Sequence, residues 1–305
     1  MIARLLPLLE QYAPELAPEL RVQLSSIAPD ASEDLRTGRN RLLTRGLVPE
    51  DQTRDEGRES LDQAERVADA AERDTLYARA ALAAARKGEA NARDLVDKIA
   101  DSELRKRARA HVDFTLVSRA IDQKDSDAAL RFLAAAEITN IQRAWALLEV
   151  ARLLKKLDAN RAVDVLNEAA IVARRIGGSE ADRPRALVGV ATQMFEIDRG
   201  RVWEALMEAV RAANSVSEFS GEDAQISARF STGRGTTTSN LTVDNFDVGG
   251  IFGSLANEDI YRAIESARGF TADAPRAIAT LAIARAVLEP KKEGTRQDEA
   301  MEIKN

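Results

Sequence analysis

Six stretches of this chain place apolar residues at i, i+3, i+4 and i+7, beginning at Ala64, Ala92, Ala129, Ala162, Val202 and Ala263. That spacing brings four side chains onto one face of an α-helix. The i+3 positions are Val67, Leu95, Phe132, Val165, Ala205 and Ser266, and the i+4 positions Ala68, Val96, Leu133, Leu166, Leu206 and Ala267. The i+7 positions are Ala71, Ile99, Ala136, Ala169, Ala209 and Phe270. Ser266 alone is polar, whereas a chain with 45% hydrophobic residues fills only about 11 of these 24 cells by chance.

A second series alternates with the first. Its anchors are Ala80, Ala108, Ala146, Ala186 and Ala277, followed four residues later by Ala84, Val112, Val150, Val190 and Leu281. The fifth position reads Ala85, Asp113, Ala151, Ala191 and Ala282, so Asp113 is the exception, and Arg105, Arg143 and Arg183 precede three anchors by three residues. First-series anchors are spaced by 28, 37, 33, 40 and then 61 residues, and the first four average 34.5. A period of about 34 residues is that of stacked helical hairpins of the tetratricopeptide type. Each pair has an apolar stripe that it cannot bury alone, so neighbours stack into an array.

Over roughly Glu59 to Glu289 the chain resembles the tetratricopeptide-like helical-repeat superfamily, in particular the divergent Ala-rich arrays of bacterial proteins. The resemblance implies an all-α, TPR-like helical-hairpin solenoid. It departs from the family's pattern where Trp145 has no aromatic counterpart at Arg107 or Arg185, and where the proline closing the second helix is absent. A neighbouring class of α-solenoid therefore stays open, and no ligand residue carries over.

Punctuation agrees with this reading. Asp101 or Ser102, Ser126, Asn140, and Ser179 or Asp182 are expected helix caps, and Gly88 and Gly177-Gly178 expected stops. The expected organisation is N-terminal helices over 1–58 continuing the array, helical repeats over 59–214, an insert over 215–256, a helix pair over 257–289 and a disordered tail over 290–305. Within 1–58, helices are expected over 2–12, 14–27 and 33–45.

The insert breaks the rhythm, since 61 residues separate Val202 from Ala263 and the intervening second-series helix is not evident. Instead Ile226, Ala228 and Phe230 alternate with polar residues, a Gly233-Arg234-Gly235 turn follows, and Leu241, Val243 and Phe246 come after a Thr/Ser-rich run. Period two around glycine reads as a β-hairpin. The apolar positions are even in the first strand and include odd Leu241 and Val243 in the second, so pairing on one face demands an even-numbered loop, satisfied by Gly233-Arg234 or Arg234-Gly235. Residues 248–255 are expected to be a loop or one short helical turn.

Charge gathers in and just after the insert. From Val216 to Ile260, Glu218, Glu222, Asp223, Asp244, Asp247, Glu258 and Asp259 against Arg229 and Arg234 leave −5 of the chain's net −6. Two readings stand: a recognition element on a rigid scaffold, or an insertion that caps the stack. Asp244, Asn245 and Asp247 cluster oxygens as a cation site needs, but their spacing matches no established loop.

Residue counts narrow the chemistry. The chain has no cysteine and one histidine, His111, which removes disulfides, Cys-His pairs and multi-histidine metal centres, and leaves a Ser-His-Asp triad only through His111. No GxxxxGK[ST] stretch cradles a phosphate, and no cofactor is expected. Net charge of −6 speaks against nucleic acid, and Arg105, Lys106, Arg107 and Arg109 read as a solvated basic helix face. No run approaches the roughly 18 apolar residues of a membrane span. With no signal peptide evident, a soluble protein is expected, cytoplasmic or exported if a leader was removed.

The leading expectation is a non-enzymatic protein-protein interaction scaffold with a protein or peptide partner. Phe230, Arg234, Asp244 and Asp247 of the insert, with Trp145 and Trp203, are the candidate contacts, although the two tryptophans suit inter-repeat packing as well. Deleting 224–245 is expected to abolish binding and leave the array folded. A carboxylate-based hydrolase or lyase, and a self-associating structural protein, are the alternatives.

Overall fold

The computed structural model describes residues 55–222, 224–232 and 235–288, together with Pro18. The chain divides into two units, Met1–Asp55 and Glu56–Asn305, and all the elements named below lie in the second. The helices expected over 2–12, 14–27 and 33–45, the tail over 290–305, and Arg234 lie outside the described residues.

Twelve α-helices and one two-stranded sheet form this unit among the described residues. In chain order they are α1 Glu56–Ala64, α2 Ala70–Lys87, α3 Ala92–Asp97, α4 Ser102–Asp122, α5 Ser126–Ala134, α6 Asn140–Leu154, α7 Ala159–Arg174, α8 Asp182–Ile197 and α9 Val202–Asn214. Then come β1 Gln225–Thr232, β2 Gly235–Thr242, α10 Val248–Ala256, α11 Ile260–Arg268 and α12 Asp273–Leu288. No helix among the described residues is long and apolar enough to cross a membrane.

Local chemistry sets most boundaries. Carboxylates of Asp69, Asp101, Asp125, Asp158 and Asp259 each accept from the backbone N–H three residues on, at the starts of α2, α4, α5, α7 and α11. At α6 Thr139 makes a capping box with Gln142. Asp125 and Thr139 thus take the role that the sequence suggested for Ser126 and Asn140, because a cap must stand on extended backbone one residue before the helix. Gly88 closes α2 in the left-handed conformation, φ 80°.

The apolar register from Ala64 to Ala71 is not one helix. α1 ends at Ala64 and the Asp69 cap starts α2 at Ala70, leaving Val67 and Ala68 in the turn between them. Capping there overrides a period of which only four positions were apolar.

The even-numbered helices carry the second series and pack one on the next, α2 on α4, α4 on α6, α6 on α8, α8 on α10 and α10 on α12. Odd-numbered helices pack on their neighbours in the chain, with α9 reaching α11. Alanines make this close approach feasible: Ala108, Ala146, Ala186 and Ala151 are wholly buried.

A side-chain rule recurs at the joints. Arg73, Arg105, Arg143, Arg185 and Arg276 are each the fourth residue of α2, α4, α6, α8 and α12. Arg105 donates to the Ile99 carbonyl at 3.0 Å, Arg143 to that of Ala136 at 2.6 Å and Arg276 to that of Phe270 at 3.2 Å. Each acceptor lies two residues beyond the end of the preceding odd-numbered helix, where carbonyls have no intrahelical partner.

The second-series helix that seemed missing from the insert is present as α10, after the hairpin. Its nine residues include three glycines, which masks helix propensity. Val248, Ile251, Phe252 and Leu255 nevertheless repeat the i, i+3, i+4, i+7 pattern, and all four are buried. Packing on α12 and α8, not propensity, makes this segment helical.

Candidate functional site

β1 and β2 pair antiparallel with Ile226 opposite Leu241, Ala228 opposite Ser239, Phe230 opposite Thr237 and Thr232 opposite Gly235. Two positions, an even number as parity requires, separate the ends of the strands. Ile226, Ala228 and Phe230 are buried, whereas Gln225, Ser227 and Arg229 are exposed.

The buried face is seated on the even-numbered helices. β1 packs on α4, where the Phe230 ring lies 5.8 Å from that of His111, tilted by 44°. Phe230 joins the apolar cluster of α2, α3 and α4, which includes Leu82, Val96 and Val112, while Ile226 and Ala228 belong to the larger cluster built on the later helices. One strand thus spans both halves of the core.

Beyond β2 the chain turns through a 3-10 segment, Asp244–Phe246, that docks on α6 and α8. Asn245 donates from Nδ2 to Glu149 Oε1 at 3.1 Å, and its carbonyl lies 3.1 Å from the Thr192 hydroxyl that donates to it. Phe246 is 1% exposed and fills a slot that exists because residue 189 is glycine. A Cβ on Gly189 would lie 2.7 Å from the Phe246 ring and 2.9 Å from Leu148 Cδ1.

His111 is enclosed by this arrangement. Its Nδ1 has no hydrogen-bond partner among the described residues. Burial, and secondarily the charge of Arg86, lowers its pKa from the usual histidine value. With Phe230 closing its face, the one imidazole of the chain sits in packing rather than in an open cleft.

The tryptophans and the aspartates of the insert lie apart from this seat. Trp145 is 6% exposed and packs on Phe114 with ring centres 5.5 Å apart. Trp203, half-buried on α9, is covered by the Arg262 guanidinium of α11 at 4.6 Å. Asp244 is exposed, and Asp247 caps α10 by accepting from Gly249 N–H at 2.9 Å. The structure does not bring these residues and Phe230 together into one surface.

The acidic excess of the insert is partly consumed by structure. Asp247 and Asp259 cap helices, and Glu258 pairs with Arg199 at 2.9 Å. No group of three or more His, Asp or Glu side chains is placed to hold a metal ion among the described residues. In the basic run, Arg105 serves the Ile99 carbonyl and Arg109 pairs with Asp97, so Lys106 and Arg107 alone face solvent.

Comparison with family models, curated proteins and solved structures finds no match to this chain.

Two cavities flank the hairpin's helices. One, of about 400 Å³, lies between the start of β1, the start of α6 and the α7–α8 turn, with Arg175, Glu180, Asp182 and Arg185 at its wall. The other, of about 620 Å³, gathers Asp69, Glu72, Asp74 and Asp101. There Asp69 and Asp101 are helix caps, and Asp74 accepts from Ala100 N–H at 3.0 Å and Asp101 N–H at 2.8 Å. Those three carboxylates hold backbone turns in place.

The signal for the Phe230 seat was in the sequence only as a strand's apolar face. Nothing local indicated that its neighbour is His111, 119 positions earlier. Gly189 was likewise invisible, since an isolated helical glycine has many explanations.

Proposed function

We propose that this chain is a non-enzymatic protein-interaction scaffold, a TPR-like α-solenoid of stacked helical hairpins whose own β-hairpin is the recognition element. The observation that supports this reading is the seating of the hairpin and of the 3-10 segment that follows it across three successive even-numbered helices, through Phe230 on His111, Asn245 on Glu149 and Phe246 against Gly189. A row of helices that accommodates extended backbone is a peptide-binding surface in kind. Here it is occupied from within, and what turns outward is polar: Arg229 and Thr238 face each other on the exposed side, beside a Ser227–Asn240 side-chain bond of 2.9 Å.

Among the described residues each strand pairs with the other alone, so there the sheet also offers its two outer edges to a segment of extended chain. The partner class is accordingly a protein with an exposed extended segment.

Deleting 224–245 is a poor test, because it removes Ile226, Ala228 and Phe230 from the core. The better variant is Arg229→Glu with Thr238→Lys, which reverses the exposed face and keeps the cross-strand pair complementary. A partner retained by the wild type is expected to be lost by this variant at unchanged thermal stability; equal retention by both proteins overturns the hairpin's role.

A further inference from the structure

His111 is the one imidazole of the chain, and its surroundings suit only the neutral ring. The residue is 6% exposed, and its Nδ1 has no hydrogen-bond partner among the described residues. An imidazolium donates from both ring nitrogens, so a proton taken up here leaves a buried N–H with nothing to accept it. A positive charge withdrawn from water is costly unless a carboxylate stands beside it.

No carboxylate among the described residues acts on the ring. Arg86 of α2 is the charge that does, and as a cation it opposes a second positive charge. α2, α3, α5, α6 and β1 pack on α4, and their ionisable groups are turned to other tasks. Asp74 holds the Ala100 and Asp101 N–H groups, Asp97 pairs with Arg109, and Asp127 pairs with Arg161. Glu149 takes Arg152 and the Asn245 amide, and Arg143 serves the Leu133 and Ala136 carbonyls. Arg93 and Asp113, the latter on α4 itself, hold each other, while Asp94 and Arg229 are exposed.

The cover over the ring is the hairpin. Phe230 closes it with ring centres 5.8 Å apart, two residue pairs from the strand ends at Thr232 and Gly235. In that outer half Phe230 is the buried apolar residue among those described. The base is held otherwise: Val243 N–H donates to the Ala224 carbonyl at 2.7 Å, and Asn245 and Phe246 dock on α6 and α8. A two-stranded hairpin is marginal in water by itself, so the outer half depends on Phe230 for its place.

We propose that the outer half of the hairpin is an acid-released latch, in which a proton on His111 lifts Phe230 from α4 and opens the recess it fills in the cluster of Leu82, Val96 and Val112. Water then solvates the imidazolium, while Ile226, Ala228 and the 3-10 segment stay docked. Burial holds the ring neutral in the closed form, so the latch is shut above the ordinary histidine value of about 6.5 and loosens as pH falls through it. One proton bound only on opening makes the opening equilibrium grow about eightfold between pH 7 and pH 5.5. The bearing on recognition rests on the reading of the hairpin as the recognition element, whereas the latch itself is observed without a partner.

Residue-resolved hydrogen exchange of the full chain tests it, each rate being corrected for the intrinsic pH dependence of amide exchange. The Val243–Ala224 bond fixes the even-numbered positions of β1 as those that exchange hydrogen bonds with β2, so Phe230 and Thr237 carry the reporting amides. Their exchange is expected to be insensitive to sub-denaturing urea, as a local opening is, and to quicken about eightfold from pH 7 to pH 5.5. His111→Gln, with no proton to take up, is expected to keep the urea behaviour and lose the pH step. If these amides share the urea dependence of the α6 amides, the hairpin opens only with the whole unit and the proposal is overturned. A local opening that is equal at the two pH values overturns it too, as does a pH step that survives in His111→Gln. Where that variant does not fold, the wild-type rates in urea at the two pH values decide by themselves. Partner retention by Arg229→Glu with Thr238→Lys is measured separately, so the latch and the hairpin's recognition role fail independently.

Discussion

Phe230 of the hairpin covers His111 of α4 with ring centres 5.8 Å apart, although 119 positions separate them in the chain. The contact ties the insert to the first half of the helix row, and it encloses an imidazole whose pKa burial lowers. A group held neutral in the fold binds its proton more readily when unfolded, so stability falls as pH drops through the ordinary histidine value of about 6.5 and does not vary on this account above it. Wild type is expected to lose melting temperature between pH 7 and pH 5.5, and His111→Gln to lose less over the same range. Parallel pH profiles of the two proteins would remove His111 from this role.

Truncating Phe230 should separate packing from recognition. Phe230→Ala removes a ring that is 3% exposed and is expected to cost about 3–5 kcal/mol in urea unfolding. Arg229→Ala, one residue away on the other face, is expected to stay within about 0.5 kcal/mol. Equal costs at the two positions would mean that the hairpin is not seated as described.

Gly189 is a test of the Phe246 slot. Alanine is favoured over glycine within a helix by about 1 kcal/mol, so Gly189→Ala stabilises if only propensity matters. With a Cβ placed 2.7 Å from the Phe246 ring, the expected outcome is instead a net loss of about 1–3 kcal/mol. Phe246→Leu in the same chain is expected to recover part of it, so that the double-mutant cycle shows coupling.

Asp113 interrupts the apolar fifth position of the second series for a structural reason. Its side chain is fully buried and accepts from Arg93 Nε at 2.7 Å and from the Glu137 backbone N–H at 2.8 Å, joining α3, α4 and the turn into α6. Asp113→Ala leaves both donors without their acceptor. The expected loss is about 3 kcal/mol, at the lower end for a buried pair because Arg93 keeps 21% of its side chain exposed. Differential denaturation measures it, and a loss under about 1 kcal/mol would show that solvent replaces the carboxylate.

Helix positions and strand parity were determined by the sequence alone, because they follow from periods of 3.6 and 2 and from caps acting over three or four residues. Ala92, Ala129, Ala162, Val202 and Ala263 mark helices that exist, and the odd-even shift between Ile226 and Leu241 required the register in which the two strands pair. After Ala64 the period does not continue as helix, because the Asp69 cap outweighs a short apolar run. α10 was hidden by its glycines and became helical through contacts with α8 and α12, which no local window contains. Tertiary structure alone decided that Phe230 packs inward on His111, that Gly189 leaves room for Phe246, and that Arg105, Arg143 and Arg276 serve carbonyls of the preceding turn. Those choices depend on which residues meet across the helix row, and a linear pattern specifies which face of each element is apolar but not what that face will touch.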